Sequence, residues 1–126
     1  MNVSHQQVAD ATAATEATMR PQSVPVNVYE ASEALVVVAP LPAVTHDDVR
    51  VELSPGDPAL LRFWAHVRSA APREYLRKEW EYGGYERVLE LPAGYGAGLE
   101  ATLHNGQLAV RVLRGPCASP VSVTPS

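Results

Sequence analysis

Leu99-Glu100-Ala101-Thr102-Leu103-His104-Asn105-Gly106-Gln107-Leu108-Ala109-Val110-Arg111-Val112-Leu113 is the stretch that decides the fold. Before its centre, Leu99, Ala101 and Leu103 alternate with Glu100, Thr102 and His104; after it, Leu108, Val110 and Val112 alternate with Ala109, Arg111 and Leu113. Side chains two apart on an extended chain share a face, so each arm reads as a strand with an apolar inner side. Asn105-Gly106 supplies the two positive φ angles of a type I′ turn, and the arms fold back as a hairpin.

The same alternation spreads outward. Val49, Val51 and Leu53 alternate with Arg50 and Glu52. Leu35-Val36-Val37-Val38-Ala39 is continuous and β-branched, which suits a strand covered on both faces. Residues 59–67 and 85–91 supply two further strands and 26–30 a shorter one. Pro40 and Pro42 end one strand, and Ser54-Pro55-Gly56-Asp57-Pro58 joins two others. About seven or eight short strands with almost no helical period predict an all-β protein, an antiparallel immunoglobulin-like β-sandwich over residues 25–114.

Two extensions flank it. Residues 1–24 are rich in Ala, Thr, Gln and Ser and hold no aromatic residue. Ser4 with Gln7 has the spacing of a capping box, but little apolar surface follows, so the segment reads as a flexible arm. Residues 115–126, punctuated by Pro116, Pro120 and Pro125, read as a tail. With 126 residues in all, there is room for one domain.

Composition removes several classes of function. A net charge of −4 argues against a nucleic-acid module, which carries a basic surplus. The single cysteine, Cys117, closes no internal disulfide and fits a reducing cytoplasm. No run approaches the roughly 18 apolar residues of a membrane span. The first twenty residues lack both the basic start and the apolar stretch of a signal peptide. The expected location is cytoplasmic.

Chemistry finds little foothold. His5, His46, His66 and His104 have no mutual spacing that would hold a metal, and Cys117 has no basic neighbour closer in sequence than Arg114 to activate it. Gly94-Tyr95-Gly96-Ala97-Gly98 lacks the lysine and following helix of a phosphate loop and reads as a loop between strands. Asp47 and Asp48 are adjacent and point apart on an extended chain, which suits a polar loop cap. No Gly-x-Ser-x-Gly nucleophile elbow is present. The sequence predicts no catalytic residue, no metal ligand and no cofactor.

Three features point to partners instead. Arg87 shares the inward phase of Tyr85, Leu89 and Leu91, and a buried arginine needs a paired head group. Residues 73–87 interleave charges of both signs with Tyr75, Leu76, Trp80, Tyr82 and Tyr85, as suits a protruding strand that pairs with a second subunit. In the tail, Val121 and Val123 point the same way on an extended chain and match two adjacent pockets along a sheet edge.

Together these residues resemble the small heat shock proteins, which are built on an α-crystallin domain. The resemblance runs through Val28-Tyr29-Glu30, Pro40-Leu41-Pro42-Ala43-Val44 and Asp47-Asp48-Val49-Arg50-Val51-Glu52-Leu53. Tyr85-Glu86-Arg87-Val88-Leu89-Glu90-Leu91-Pro92 and Ala101-Thr102-Leu103-His104-Asn105-Gly106-Gln107-Leu108 carry most of it, and Val121-Ser122-Val123 looks like the family's Ile-x-Ile tail. The chain departs from the pattern where Gln107 replaces a valine and Ala43 a common glycine.

The resemblance implies an ATP-independent holdase that binds partly unfolded client proteins and catalyses nothing. It implies a dimer by strand exchange around Tyr75, Leu76, Trp80, Tyr82 and Arg87, and a tail that seats Val121 and Val123 in an edge groove between Val49, Val51 and Leu53 and Leu99, Ala101 and Leu103. Valine lacks one methylene relative to isoleucine. At about 0.8 kcal/mol per buried CH₂, two such losses weaken each tail by roughly 1.6 kcal/mol, which favours dimers in exchange with small oligomers. The competing readings are a non-holding interaction or co-chaperone module on the same sandwich, a glycan binder stacking sugars on Trp64 and Trp80, and an enzyme.

Overall fold

The computed structural model describes residues 22–66, 74–79 and 84–126. Alternation becomes strand where it was expected: β2 (Asn27–Glu30), β3 (Ala34–Pro40), β4 (Val49–Ser54), β5 (Leu60–Ala65), β6 (Tyr85–Glu90), β7 (Tyr95–His104) and β8 (Gln107–Arg114). Two further strands, β1 (Gln22–Ser23) and β9 (Val121–Val123), complete two sheets. One sheet has the order β1-β6-β5-β4-β9 and the other β2-β3-β8-β7. All pairings are antiparallel except β1 with β6, which is parallel. The molecule is the β-sandwich that the sequence predicts.

The sheets bury their apolar phases against each other. On β4 the pattern is strict: Val49, Val51 and Leu53 are fully buried while Arg50 and Ser54 are exposed. Leu61, Phe63 and Ala65 of β5 face the same interior, opposed by Leu35, Val37 and Ala39 of β3 and by Leu108, Val110 and Val112 of β8. Val36 is also buried, so β3 is covered on both faces as its continuous apolar run requires.

Turns follow the backbone chemistry of their residues. Asn105 and Gly106 take φ of 51° and 76°, both positive as a type I′ hairpin demands. The Gly106 carbonyl accepts the Leu41 N–H at 2.7 Å, which ties the hairpin to the end of β3. Asp48 closes the 3-10 turn His46–Asp48 by accepting the Thr45 hydroxyl at 3.0 Å, the polar loop cap the sequence suggests. Ala43 takes φ 68°, a left-handed conformation that costs an alanine roughly 1–2 kcal/mol.

One reading needs correction. Gly94-Tyr95-Gly96-Ala97-Gly98 is not simply a loop, because β7 begins at Tyr95 and pairs Tyr95 with Arg114. The register then shifts between Tyr95 and Leu99. Glycines add no apolar side chain to an alternating pattern, so this half of the strand is silent in the sequence.

Candidate functional site

The edge groove and the tail motif come together in one chain. β9 lies antiparallel on β4, with Val123 opposite Val51 and Val121 opposite Leu53. Both valines are half-buried against the core, and β9 also approaches β7. Arg50 Nη1 donates to Thr124 Oγ1 at 2.5 Å, and Pro125 is buried. The last residue then crosses to the other sheet: Ser126 N–H donates to the Ala101 carbonyl at 3.1 Å, and its own carbonyl accepts from Leu103 N–H at 3.0 Å. Of the six residues of the expected groove, Val51 and Leu53 lie opposite the tail strand and the main chains of Ala101 and Leu103 bond its end, while Val49 and Leu99 are core residues. The sequence marks Val121 and Val123 but gives no sign that Pro125 and Ser126 share the contact.

A second surface is the edge strand β2, which among the described residues pairs with β3 alone. All four of its residues are exposed, and Val28 and Tyr29 leave 48% and 56% of their surface in solvent. Tyr75 is 48% exposed and Leu76 fully so, although both are apolar. Trp80 and Tyr82, which the sequence assigns to the same exchanged strand, lie outside the described residues.

Arg87 has the partner it needs. Its Nη1 donates to the Val24 carbonyl at 2.8 Å, and Val24 itself is buried. The guanidinium thus fastens residue 24 beside the strand pair β1–β6 in its own chain. A backbone carbonyl as acceptor leaves no trace in the sequence.

The outward face of the β4–β5–β6 sheet carries a polar cluster that the sequence did not indicate. Arg62 donates Nε to Glu86 at 2.7 Å, approaches Glu52 at 3.8 Å and stacks 3.9 Å above the Trp64 ring. Strand register alone makes it, since Glu52 faces Arg62 and Trp64 faces Glu86. These groups are partly exposed, so the ion pairs contribute under about 1 kcal/mol each. The guanidinium covers one face of Trp64, the ring that a glycan platform would need to present.

Tyr95 anchors the start of β7. Its hydroxyl donates to Glu30 at 2.7 Å and accepts from Arg114 Nη2 at 3.0 Å. The bond to Glu30 chiefly, and burial, hold its phenol above the ordinary value of 10.0. Burial pushes Tyr85, which donates to the Pro42 carbonyl, the same way. A proton held more tightly by the folded chain stabilises the fold while the unfolded phenol also keeps its proton, up to about pH 10. Above that the unfolded chain ionises first and the gain is lost. The thermal midpoint is therefore expected to hold from neutral pH to about pH 9 and to fall above about pH 10, less steeply in Tyr95→Phe. Parallel curves for the two proteins would remove Tyr95 from this account.

His66 and His104 are exposed, as their strand phases indicate. Among the described residues no group of three or more His, Cys, Asp or Glu side chains is placed to hold a metal ion. No helix among them is long and apolar enough to cross a membrane.

No family model and no curated protein matches the chain. Solved structures do. The chain resembles hspA from Xanthomonas axonopodis at 25% identity and a TM-score of 0.63, over 79% of this chain and 100% of that one. It resembles a deletion mutant of hsp14.1 from Sulfolobus at 25% identity and a TM-score of 0.63, over 75% and 78% of the two chains. A small heat-shock protein from Xylella fastidiosa, described as having a distinct high order structure, shares the fold at 20% identity and a TM-score of 0.62, over 85% and 99%.

Proposed function

We infer, for a chain whose sandwich and solved neighbours assign it to the small heat shock protein family, an ATP-independent holding activity: it binds partly unfolded proteins and keeps them from aggregating. The observation that carries this reading is an apolar groove, walled by Val51, Leu53, Ala101 and Leu103, whose cover is a strand of three residues. An extended apolar segment of an unfolded chain meets the same requirements as Val121-Ser122-Val123: main-chain pairing along β4 and alternate side chains in the groove.

Subunits pair, in this reading, through the edge strand β2. An unpaired edge offers a row of N–H and C=O groups to another strand, and Val28, Tyr29, Tyr75 and Leu76 are apolar surface that a lone sandwich gains nothing by exposing. The segment holding Tyr75, Leu76, Trp80 and Tyr82 crosses to the partner's β2, and Arg87 keeps the start of the domain in place beside it. A tail that leaves its groove links dimers into small oligomers. One cysteine and no need for a disulfide suit a cytoplasmic setting.

The test is suppression of heat-induced aggregation of a model client, followed by light scattering without ATP. Scattering is expected to fall as the protein approaches equimolar with the client. Undiminished scattering at stoichiometric excess would remove the holding activity and leave the non-holding co-chaperone reading of the same sandwich.

A further inference from the structure

Tyr95 makes a contact that strand order does not require. It stands on β7, one outer strand of its sheet, yet its hydroxyl donates to Glu30 at the end of β2, the opposite outer strand. Register puts both on the inward phase at one end of the sheet. Glu30 pairs with buried Leu35, Leu35 with Val112, and Arg114, two residues on from Val112, pairs with Tyr95. Arg114 completes the corner. Its Nη2 donates to the Tyr95 hydroxyl at 3.0 Å, its Nε to the Ser32 carbonyl at 3.4 Å, and its backbone N–H to the Glu33 carbonyl at 3.0 Å. Its guanidinium carbon lies 4.9 Å from the centre of the Tyr95 ring. The turn between β2 and β3, closed by Ala31 N–H donating to the Ala34 carbonyl at 2.8 Å, is thereby held to the end of β8.

β2 needs such a hold. It has four residues, pairs with β3 alone among the described residues, and contributes no side chain to the hydrophobic core. Strands of that kind open locally at little cost. Ahead of β2 the chain is fixed by Val24, which is buried and bonded to Arg87, and by Val26, which packs against the core. At the far end the fixed point is Glu30. We propose that Tyr95, backed by Arg114, is a positioning residue for subunit pairing: it holds Glu30 so that β2 is already ordered when a partner's strand is laid along it. The inference rests on the pairing reading given above and adds to it the residue that prepares the edge. Tyr95 is 4% exposed and stands on the opposite side of the sheet from β2, so its effect on pairing passes through Glu30. A template ordered in advance spares association the entropy of fixing it.

A double-mutant cycle in the full chain tests it, with the dimer dissociation constant read by sedimentation over a dilution series. Tyr95→Phe keeps the ring and removes the donor, and Glu30→Ala removes the acceptor. Each is expected to raise the constant roughly tenfold, and the double variant no further than Glu30→Ala alone. Amide hydrogen exchange, at a concentration where the chain is monomeric, supplies the second readout. Amides of residues 27–30 are expected to exchange about fivefold faster in Tyr95→Phe than in the parent. A residue that only steadied the core would speed the slow amides of β4 and β5 and leave those of β2 as they were. Protection remaining in β4 and β5 shows that each variant folds. Additive effects in the cycle, or unchanged exchange at 27–30, would overturn the role. A parent dimer whose constant is indifferent to Tyr95→Phe would overturn the role alone. A parent chain that stays monomeric at every concentration would overturn the pairing reading, and this role with it.

Discussion

Replacing Phe63 with alanine is expected to lower the stability of the fold by about 3–5 kcal/mol, the range for emptying a buried aromatic site. Phe63 is the bulkiest of the fully buried side chains and lies at the centre of its sheet, beside Val51 on β4 and Arg87 on β6. Its neighbours are held by hydrogen bonding on both sides, so they collapse only partly into the space it leaves. A domain of this size has about 5–15 kcal/mol in total, so the variant sits near the edge of folding at ordinary temperature. The thermal midpoint is expected to fall by on the order of 15 °C, read by circular dichroism. Val88→Ala provides the contrast. Val88 is 49% exposed on the neighbouring strand, and its truncation is expected to change stability by no more than about 0.5 kcal/mol. Equal losses in the two variants would mean that the sandwich core is not where Phe63 sits.

The alternation that places Phe63 inside is the same signal that made most of the fold legible. Where the structural requirement is local, residue type reports it: Asn105-Gly106 demands its turn whatever surrounds it, and Val49, Val51 and Leu53 need only a period of two to be assigned to one face. Arg87 was legible by half. Its phase demanded a partner, but the acceptor is the Val24 carbonyl, and a main-chain oxygen has no sequence signature. β1 has two residues, too few for any period to show.

The candidate site divides in the same way. Val121 and Val123 announce a short strand, and that strand forms antiparallel on β4 at the edge of its sheet. What the pattern does not encode is the path of the linker after β8, which passes so closely over β7 that Gly96 meets Cys117 from twenty-one positions away in the chain. A glycine whose role is to be small for a distant segment looks, in sequence, like a glycine in a loop. The Arg62 cluster is hidden for a related reason, because Glu52, Arg62 and Glu86 become neighbours only once three strands are in register.

Gly96→Val is expected to free the tail while leaving the sandwich folded, and magnitudes decide which of the two gives way. Valine at φ 140° and in contact with Cys117 adds a backbone strain of about 1–3 kcal/mol and an overpacking penalty of about 1–3 kcal/mol. Against that stand two half-buried valines, each contributing less than the roughly 1.5–3 kcal/mol of a fully buried one, and a few exposed hydrogen bonds. The core is held far more firmly, by Leu108, Val110 and Val112 on the neighbouring strand among others. The linker therefore lifts and β7 stays. Limited proteolysis is expected to cleave residues 115–126 of the variant at least tenfold faster than those of the parent protein, with the remaining domain intact on mass spectrometry. If the tail also joins subunits, as proposed, light scattering is expected to show a different dependence of mass on concentration in the variant and the parent. A variant that keeps its tail protected and its mass unchanged would mean that the linker never rested on Gly96.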